Sequence, residues 1–292
     1  MPPSPWPKEA YRFQLQLISA LTELYGEREA RTRTQLLMED LVGKSVIPPY
    51  STLELGSSLY QRATDLADQL LAQHPIQYLI QKAHFYGRDF RVGPGVLIPR
   101  PETELLAVMA RDRLRGMVQA NSLLDVGTGS GCLVITIERE LSLINRSIHA
   151  VGIDISEQAL VLARYNGQEL GFQGSFQQLD ILTAKPDSFK DLDLLVSNPP
   201  YIPIQERASL DVQVREHEPQ EALFVPDDNP LLFYKRLVEL APSWLRPNGW
   251  LMVECHADYA ASVRDLFVES GLSKVQLHQD LSGRNRIVEG QV

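Results

Sequence analysis

Asn198-Pro199-Pro200-Tyr201 is the stretch of this chain best suited to chemistry. An asparagine side chain offers one carbonyl acceptor and one amide donor. The carbonyls beside two prolines remain free acceptors, because neither proline can continue a sheet ladder. Together these oxygens can grip a flat –NH2 group, and the Tyr201 ring can lie against its plane. The chemistry that fits is a carboxamide or the exocyclic amine of a base. A plain proline-rich turn is the simpler reading of the same four residues; Tyr201 and a glycine loop upstream weigh against it. The residues before it, Leu192 to Ser197, are mostly apolar and predict a buried strand. Asn198 then sits at the carboxyl end of a strand, where open α/β sheets bind their ligands.

The upstream loop is Gly127-Thr128-Gly129-Ser130-Gly131, between a predicted strand, Ser122 to Val126, and a predicted helix, Cys132 to Glu140. Strand, glycine loop and helix form a nucleotide-binding turn, in which backbone approaches a ligand closely and free N–H groups point outward. The dinucleotide fingerprint needs a glycine three residues after the second; Cys132 stands there. No lysine follows the last glycine, so a phosphate-gripping loop is not expected. With no pyrophosphate to cradle, the loop points to a nucleoside joined to an amino acid, S-adenosylmethionine. The next strand, Ile148 to Ile153, ends at Asp154, 23 residues past Gly131 (154 − 131). A carboxylate at that strand tip suits ribose hydroxyls. A helix N-cap is the competing role, one that Ser156 can equally fill. Asp125 can meet the cofactor's ammonium or order the loop. A third strand, Phe176 to Leu179, ends at Asp180, which can accept from the adenine amine or cap a turn, and Ile181 is placed to pack on the adenine ring.

The elements that must carry these residues follow from periodicity. Residues 8–25 place Tyr11, Leu15, Ile18, Leu21 and Leu24 at helical spacing. A second helix is predicted from Arg28 to Leu41. Pro48-Pro49 interrupts, and Ser51 with Glu54 resembles a capping box opening a helix toward Leu71. Residues 1–83 are thus expected to form a small helical domain for substrate docking. Tyr86 to Phe90 and Val92 to Val96 predict two short strands, a linking β-hairpin over residues 84–98. Residues 99–292 form the domain with the chemical motifs. It opens with Pro99-Arg100-Pro101-Glu102-Thr103-Glu104 and a helix through Met117, where Arg100 is expected to be structural or to touch a carboxylate. Leu231 to Leu245 predicts a helix, and Trp250 to Glu254, Val275 to His278 and Arg286 to Val288 predict the last strands. Seven strands alternating with helices make an α/β fold, a doubly wound Rossmann-like sheet with a terminal hairpin.

Charge narrows the partners. Residues 1–92 carry 10 basic and 10 acidic side chains; residues 93–292 carry 18 against 27, which is the whole formal deficit of −9. Duplex binding requires a cationic surface, so the acidic half with the motifs argues against a nucleic-acid substrate. Glu216, Glu218, Glu221, Asp227 and Asp228 are expected to border the substrate mouth, as a solvated loop or as an attractor for a basic protein surface. Cys132 and Cys255 show no metal or redox spacing, which favours a reducing cytoplasm. No run approaches membrane-span length. A monomer is expected.

With these motifs in place, the sequence resembles the class I S-adenosylmethionine-dependent methyltransferases and, more narrowly, the release-factor glutamine methyltransferases of the HemK/PrmC family. The resemblance runs from about residue 75 to the end. It is carried by Pro75 to Ile80, Phe85-Tyr86-Gly87, Val96 to Glu104, Leu124 to Gly131, Glu218-Pro219 with Ala222-Leu223, and Asp280 to Arg284, besides Asn198 to Tyr201. It departs at Glu254-Cys255-His256, where Glu-x-Gly is more frequent, and at Ile181, often a larger aromatic. The resemblance implies methylation of the side-chain nitrogen of the glutamine in the Gly-Gly-Gln motif of peptide chain release factors. Asn198 and the Pro199 carbonyl would accept the two amide N–H bonds and Tyr201 would pack on the amide, with Pro200 completing the grip. Adenine amino-methyltransferases of DNA or RNA share the Asn-Pro-Pro-Tyr segment, and they remain the alternative.

Overall fold

The structure is a computed structural model that describes residues 6–43, 54–117 and 121–292. The chain divides into two compact units, residues 1–82 with 211–217, and residues 83–210 with 218–292.

The first unit is helical, with α1 (Ala10–Tyr25), α2 (Glu27–Val42), α3 (Ser57–Leu71) and the single turn α4 (Ile76–Leu79). Its core gathers Phe13, Leu17, Leu21, Leu37, Met38 and Leu70. The helical period expected for α1 is present, but of its five spaced residues only Leu21 is fully buried. Ala10, Phe13, Leu17 and Leu21 are buried, whereas Tyr11, Leu15 and Leu24 are 39%, 47% and 45% exposed. The helix carries two apolar stripes. The one that turns inward is the one that presents Phe13, on which Trp6 packs with ring centroids 5.3 Å apart. α3 begins at Ser57 behind Gly56, with no side-chain cap. The expected box does not open it: Glu54 makes an isolated bridge to Glu9, and Ser51 and Pro48-Pro49 lie outside the described residues. A short helix at Val212–His217, unforeseen in the sequence, belongs to this unit. Its Gln213 is buried, and its His217 ring stacks on His74 at 4.1 Å.

The second unit opens with a hairpin, β1 (Lys82–Phe85) and β2 (Arg88–Arg91). It lies earlier than expected. Tyr86 and Gly87 both have positive φ, 47° and 74°, as a tight hairpin turn requires. Val92-Gly93-Pro94-Gly95-Val96 is not a strand; it forms a turn closed by the Val96 N–H on the Gly93 carbonyl at 3.2 Å. Pro94 has no N–H for a ladder, and Gly95 takes a positive φ of 92° that a strand does not use.

Next come α5 (Thr103–Gly116), β3 (Ser122–Val126), α6 (Cys132–Ser142), β4 (His149–Asp154), α7 (Glu157–Leu170), β5 (Ser175–Gln178) and β6 (Leu192–Ser197). A two-residue parallel pair, β7 (Ile202–Pro203) and β8 (Phe224–Val225), follows. Then come α8 (Leu232–Trp244), β9 (Leu245–Glu254), α9 (Ala260–Glu269), β10 (Ser273–Gln279) and β11 (Asn285–Gln291). β9 starts five residues before the expected Trp250, and its register against β6 shifts between the Leu192 and Leu194 pairs. The seven-stranded sheet has the order β10-β11-β9-β6-β3-β4-β5. β5, β4, β3, β6 and β9 run parallel, and β11 is antiparallel to β9 and β10. Leu123 and Leu194 face one core layer with α5 and α6, and Leu124 and Leu195 face the other with α8 and α9. That is the period-two alternation of a sheet covered on both sides. The chain leaves β3 toward β5 and returns on the other side through β6. The order therefore reverses between β3 and β6, which is where such sheets bind ligands. Among the described residues no helix is long and apolar enough to cross a membrane.

Candidate active site

The glycine loop leaves β3 at that reversal. Gly127, Gly129 and Gly131 have φ of 72°, 55° and 80°, which only glycine adopts without steric cost. The loop is tied to β4 rather than opened outward. Gly127 N and Thr128 N both donate to the Ile153 carbonyl at 2.9 Å, and Gly131 N donates to Thr128 at 2.8 Å. Gly129 N donates to Asp154 Oδ2 at 2.8 Å. The expected free, outward N–H groups are thus spent at four positions; the loop offers close approach instead of anion binding. Gly152, which the sequence reading passed over, makes this possible: a Cβ there would lie 2.7 Å from Thr128 Oγ1 and 2.8 Å from the Phe176 ring. The Thr128 hydroxyl donates to Asp125 at 2.7 Å. Asp125 therefore orders the loop. Burial pushes its carboxyl up to about 7, against the pull of that hydroxyl.

Asp154 ends β4 and takes a second N–H, from Ser156, at 2.9 Å. Burial raises its pKa even so. Ser156 is the N-cap of α7, accepting from Ala159 N at 3.2 Å, so Asp154 is not needed for that role. Asp180 accepts from Leu182 N at 2.9 Å and from the Thr183 hydroxyl at 3.3 Å, a turn cap. One cavity brings together Gly127, Gly129, Asp154, Asp180, Ile181, Asn198, Pro199 and Pro200. Its apolar walls add Val96, Leu97, Ile155, Leu179 and Phe233. Thr128 and Ser130 line a smaller adjoining recess with Arg100, Thr103 and Asn198. Gly131 and Tyr201 line neither. Gly131 is the N-cap of α6, where a Cβ would meet Ile135 Cδ1 at 2.8 Å.

Asn198 stands where the cavity meets the recess. The preceding Ser197 hydroxyl donates to the Val126 carbonyl at 2.7 Å, tying the tip of β6 to β3. Asn198 Nδ2 donates to Thr103 Oγ1 at 3.1 Å, and Thr103 Oγ1 donates to Glu254 Oε2 at 2.7 Å. The Tyr201 hydroxyl donates to the other Glu254 oxygen at 3.3 Å, and Tyr234 donates to the Glu254 backbone carbonyl at 3.1 Å. Burial pushes Glu254 up to about 6, while the Thr103 hydrogen bond and Arg286 favour the charged form. The Tyr201 phenol is raised by burial and by Glu254. Thr103 and Glu254 were missed as site residues. Their only sequence signals were a position in the first turn of a helix and one at the end of a strand.

Arg100 does touch a carboxylate: its Nη2 lies 2.5 Å from Glu218 Oε1, and Ile98 N donates to Glu218 Oε2 at 3.1 Å. This takes Glu218 out of the expected acidic rim. Glu218 is buried and paired, Glu216 pairs with Arg215 at 2.7 Å within the helical unit, and Asp227 accepts from Gln205 N at 2.9 Å. Of the five, only Glu221 lines the cavity. A buried carboxylate paired with an arginine from elsewhere in the chain, as Glu218 is with Arg100, adds no charge to a surface, which a sequence count does not show.

Residues 118–286 match the family described as a methyltransferase domain. The chain is 35% identical over 280 residues to the release factor glutamine methyltransferase of Bacteroides thetaiotaomicron, covering 95% of this chain and 98% of that protein. The chain belongs to the release factor glutamine methyltransferase family. The relative in Chlorobaculum tepidum is 37% identical over 296 residues, covering 96% of this chain and 97% of that protein. In fold, the methyltransferase domain is similar to the T. thermophilus 16S rRNA N2 G1207 methyltransferase, solved with AdoMet and guanosine. That match has a TM-score of 0.50 and 18% identity, over 72% of this chain and 49% of that one. The seven-stranded α/β sheet expected from the sequence is thus present, in a methyltransferase.

Proposed function

We propose that this methyltransferase transfers a methyl group from S-adenosylmethionine to the side-chain amide nitrogen of the Gly-Gly-Gln glutamine in peptide chain release factors. The observation that carries the reading is Asn198, at the tip of β6, sharing one cavity with the glycine loop and Asp154. The cavity fits the cofactor by the chemistry of its lining. Ile155, Leu179 and Ile181 give an apolar slot for a base, and Asp154 is an acceptor that keeps lone pairs for ribose hydroxyls. Asp180 stands at the same end, its oxygens taken by Leu182 N and the Thr183 hydroxyl. Gly127 and Gly129 leave room for the amino-acid arm. When bound, the cofactor supplies an electrophilic methyl group on a positively charged sulfur.

The protein's own part is orientation. An amide nitrogen is a weak nucleophile because its lone pair is shared with the carbonyl. Asn198 Oδ1 and the Pro199 carbonyl accept its two N–H bonds, which fixes the nitrogen and turns its lone pair toward the methyl; once the new C–N bond has formed, one of those N–H protons leaves to water. Pro200 holds the Pro199 carbonyl in place, and Tyr201 braces the far side through Glu254. Preorganised acceptors and orientation of this kind are worth up to ~7–11 kcal/mol in ideal cases. The helical unit, with Tyr11, Leu15 and Leu24 exposed along α1, is assigned to docking the release factor. A monomer in a reducing cytoplasm suits the two free cysteines, Cys132 and Cys255. Labelled cofactor offered to release factor, DNA and RNA, followed by mass mapping, tests the reading. Label on the release-factor glutamine supports it, and label on nucleic acid alone overturns it.

A further inference from the structure

The buried carboxylate of Glu254 lines neither the cavity nor the recess, yet two of its side-chain contacts lead back to the grip just described. Thr103 Oγ1 lies between Asn198 Nδ2, at 3.1 Å, and Glu254 Oε2, at 2.7 Å. A threonine hydroxyl has one hydrogen to give. A charged carboxylate can only accept, so the hydroxyl must give that hydrogen to Glu254. Its oxygen is then left to accept, and the only group of Asn198 that can donate to it is the amide NH2. Asn198 Oδ1 accepts no hydrogen bond among the described residues and remains available at the cavity wall. Resting on the proposed function above, we infer that Thr103 and Glu254 are positioning residues that fix which end of the Asn198 amide faces the target nitrogen.

The polarity of the chain depends on the charge of Glu254. A neutral acid can donate to Thr103 Oγ1. The hydroxyl is then free to donate to Asn198 Oδ1, and the amide turns over. The grip would present N–H to N–H, donor against donor, and lose its hold. The groups around Glu254 favour the charged state: the Thr103 hydroxyl, Arg286 from β11 and the Tyr201 hydroxyl. Glu102, ahead of α5, opposes it. Cys132, Cys255 and the phenols of Tyr201 and Tyr234 face the same carboxylate and stay neutral, the thiols pushed up to about 12 by burial. Burial itself lifts Glu254 to about 6, so the acid form becomes populated as pH falls through that value.

The test uses the full chain with release factor as substrate and follows kcat, KM and cofactor affinity. Thr103→Val keeps the shape and removes the hydroxyl; Thr103→Ser restores it. The expected result is a loss of roughly 10- to 100-fold in kcat for the valine variant, with the serine variant within about threefold of wild type and cofactor affinity held in both. The wild type is expected to lose kcat as pH falls through about 6, and Glu254→Gln to lower kcat and to abolish that acid limb. Should Thr103→Val fail to fold, Glu254→Gln and the pH profile decide. If Thr103→Val and Glu254→Gln both retain wild-type kcat and pH profile while Asn198→Ala loses turnover, the positioning role is wrong and the grip stands. If Asn198→Ala also keeps wild-type turnover, the proposed function's grip itself is wrong.

Discussion

Two strand tips carry the candidate site, and they are built in opposite ways. At β4, Asp154 is held by the backbone N–H groups of Ser156, two residues on, and Gly129, on the loop tied to the same strand. At β6, Asn198 is held by Thr103, 95 residues upstream, and through it by Glu254 on β9. The first tip needs only a tight loop and a strand end. The second exists only once α5, β6 and β9 have packed together. A tip that receives a cofactor can be made locally. A tip that must choose one end of an amide needs side chains brought from afar, because backbone groups alone do not fix which end of an asparagine points where.

The predictions either break this contrast or sharpen it. The largest effect on stability is expected at the distant scaffold. Arg100→Ala leaves Glu218 buried and unpaired, and is expected to cost about 3 kcal/mol in chemical denaturation. That is the low end for breaking a buried pair, because Arg100 keeps 30% of its side chain exposed. A loss below about 0.5 kcal/mol, the level of an ordinary surface substitution, would remove the claim that long-range pairs sustain this side of the site. Next is Asp154→Ala, which removes the acceptor for two N–H groups and for the ribose. It is expected to raise the cofactor dissociation constant roughly 10- to 100-fold, with kcat at saturation little changed. Unchanged affinity by calorimetry would take Asp154 out of the cofactor site. The smallest is Asp180→Ala. Its oxygens are already spent on Leu182 and Thr183, so cofactor affinity should move by no more than about threefold. A larger change would promote Asp180 from turn cap to adenine contact.

The same contrast decides what was legible in the sequence. The sheet, the glycine loop and the strands ending at Asp154 and Asn198 could be read because apolar runs and glycine spacing are local signals. Tyr86-Gly87 was misplaced within a strand because both residues must turn to positive φ, a demand set by the hairpin and not by residue type alone. Which stripe of α1 turns inward was not legible, because Phe13 and Tyr11 are both aromatic and only the packing of Trp6 on Phe13 separates them. Thr103 and Glu254 were invisible as partners, since 151 residues separate two groups that meet at 2.7 Å. Glu218 was misplaced on an acidic rim for the same reason: Arg100 lies 118 residues from the carboxylate it pairs with.

The central claim is that Asn198 presents a carbonyl oxygen to the target amide. Single-turnover methyl transfer to release factor by Asn198→Ala, at saturating cofactor, tests it most directly. The expected result is a rate lower by about 100- to 1,000-fold, the usual loss when one preorganised polar contact to the reacting group is removed, with the cofactor dissociation constant within about twofold of wild type. A variant that transfers methyl at the wild-type rate would contradict it.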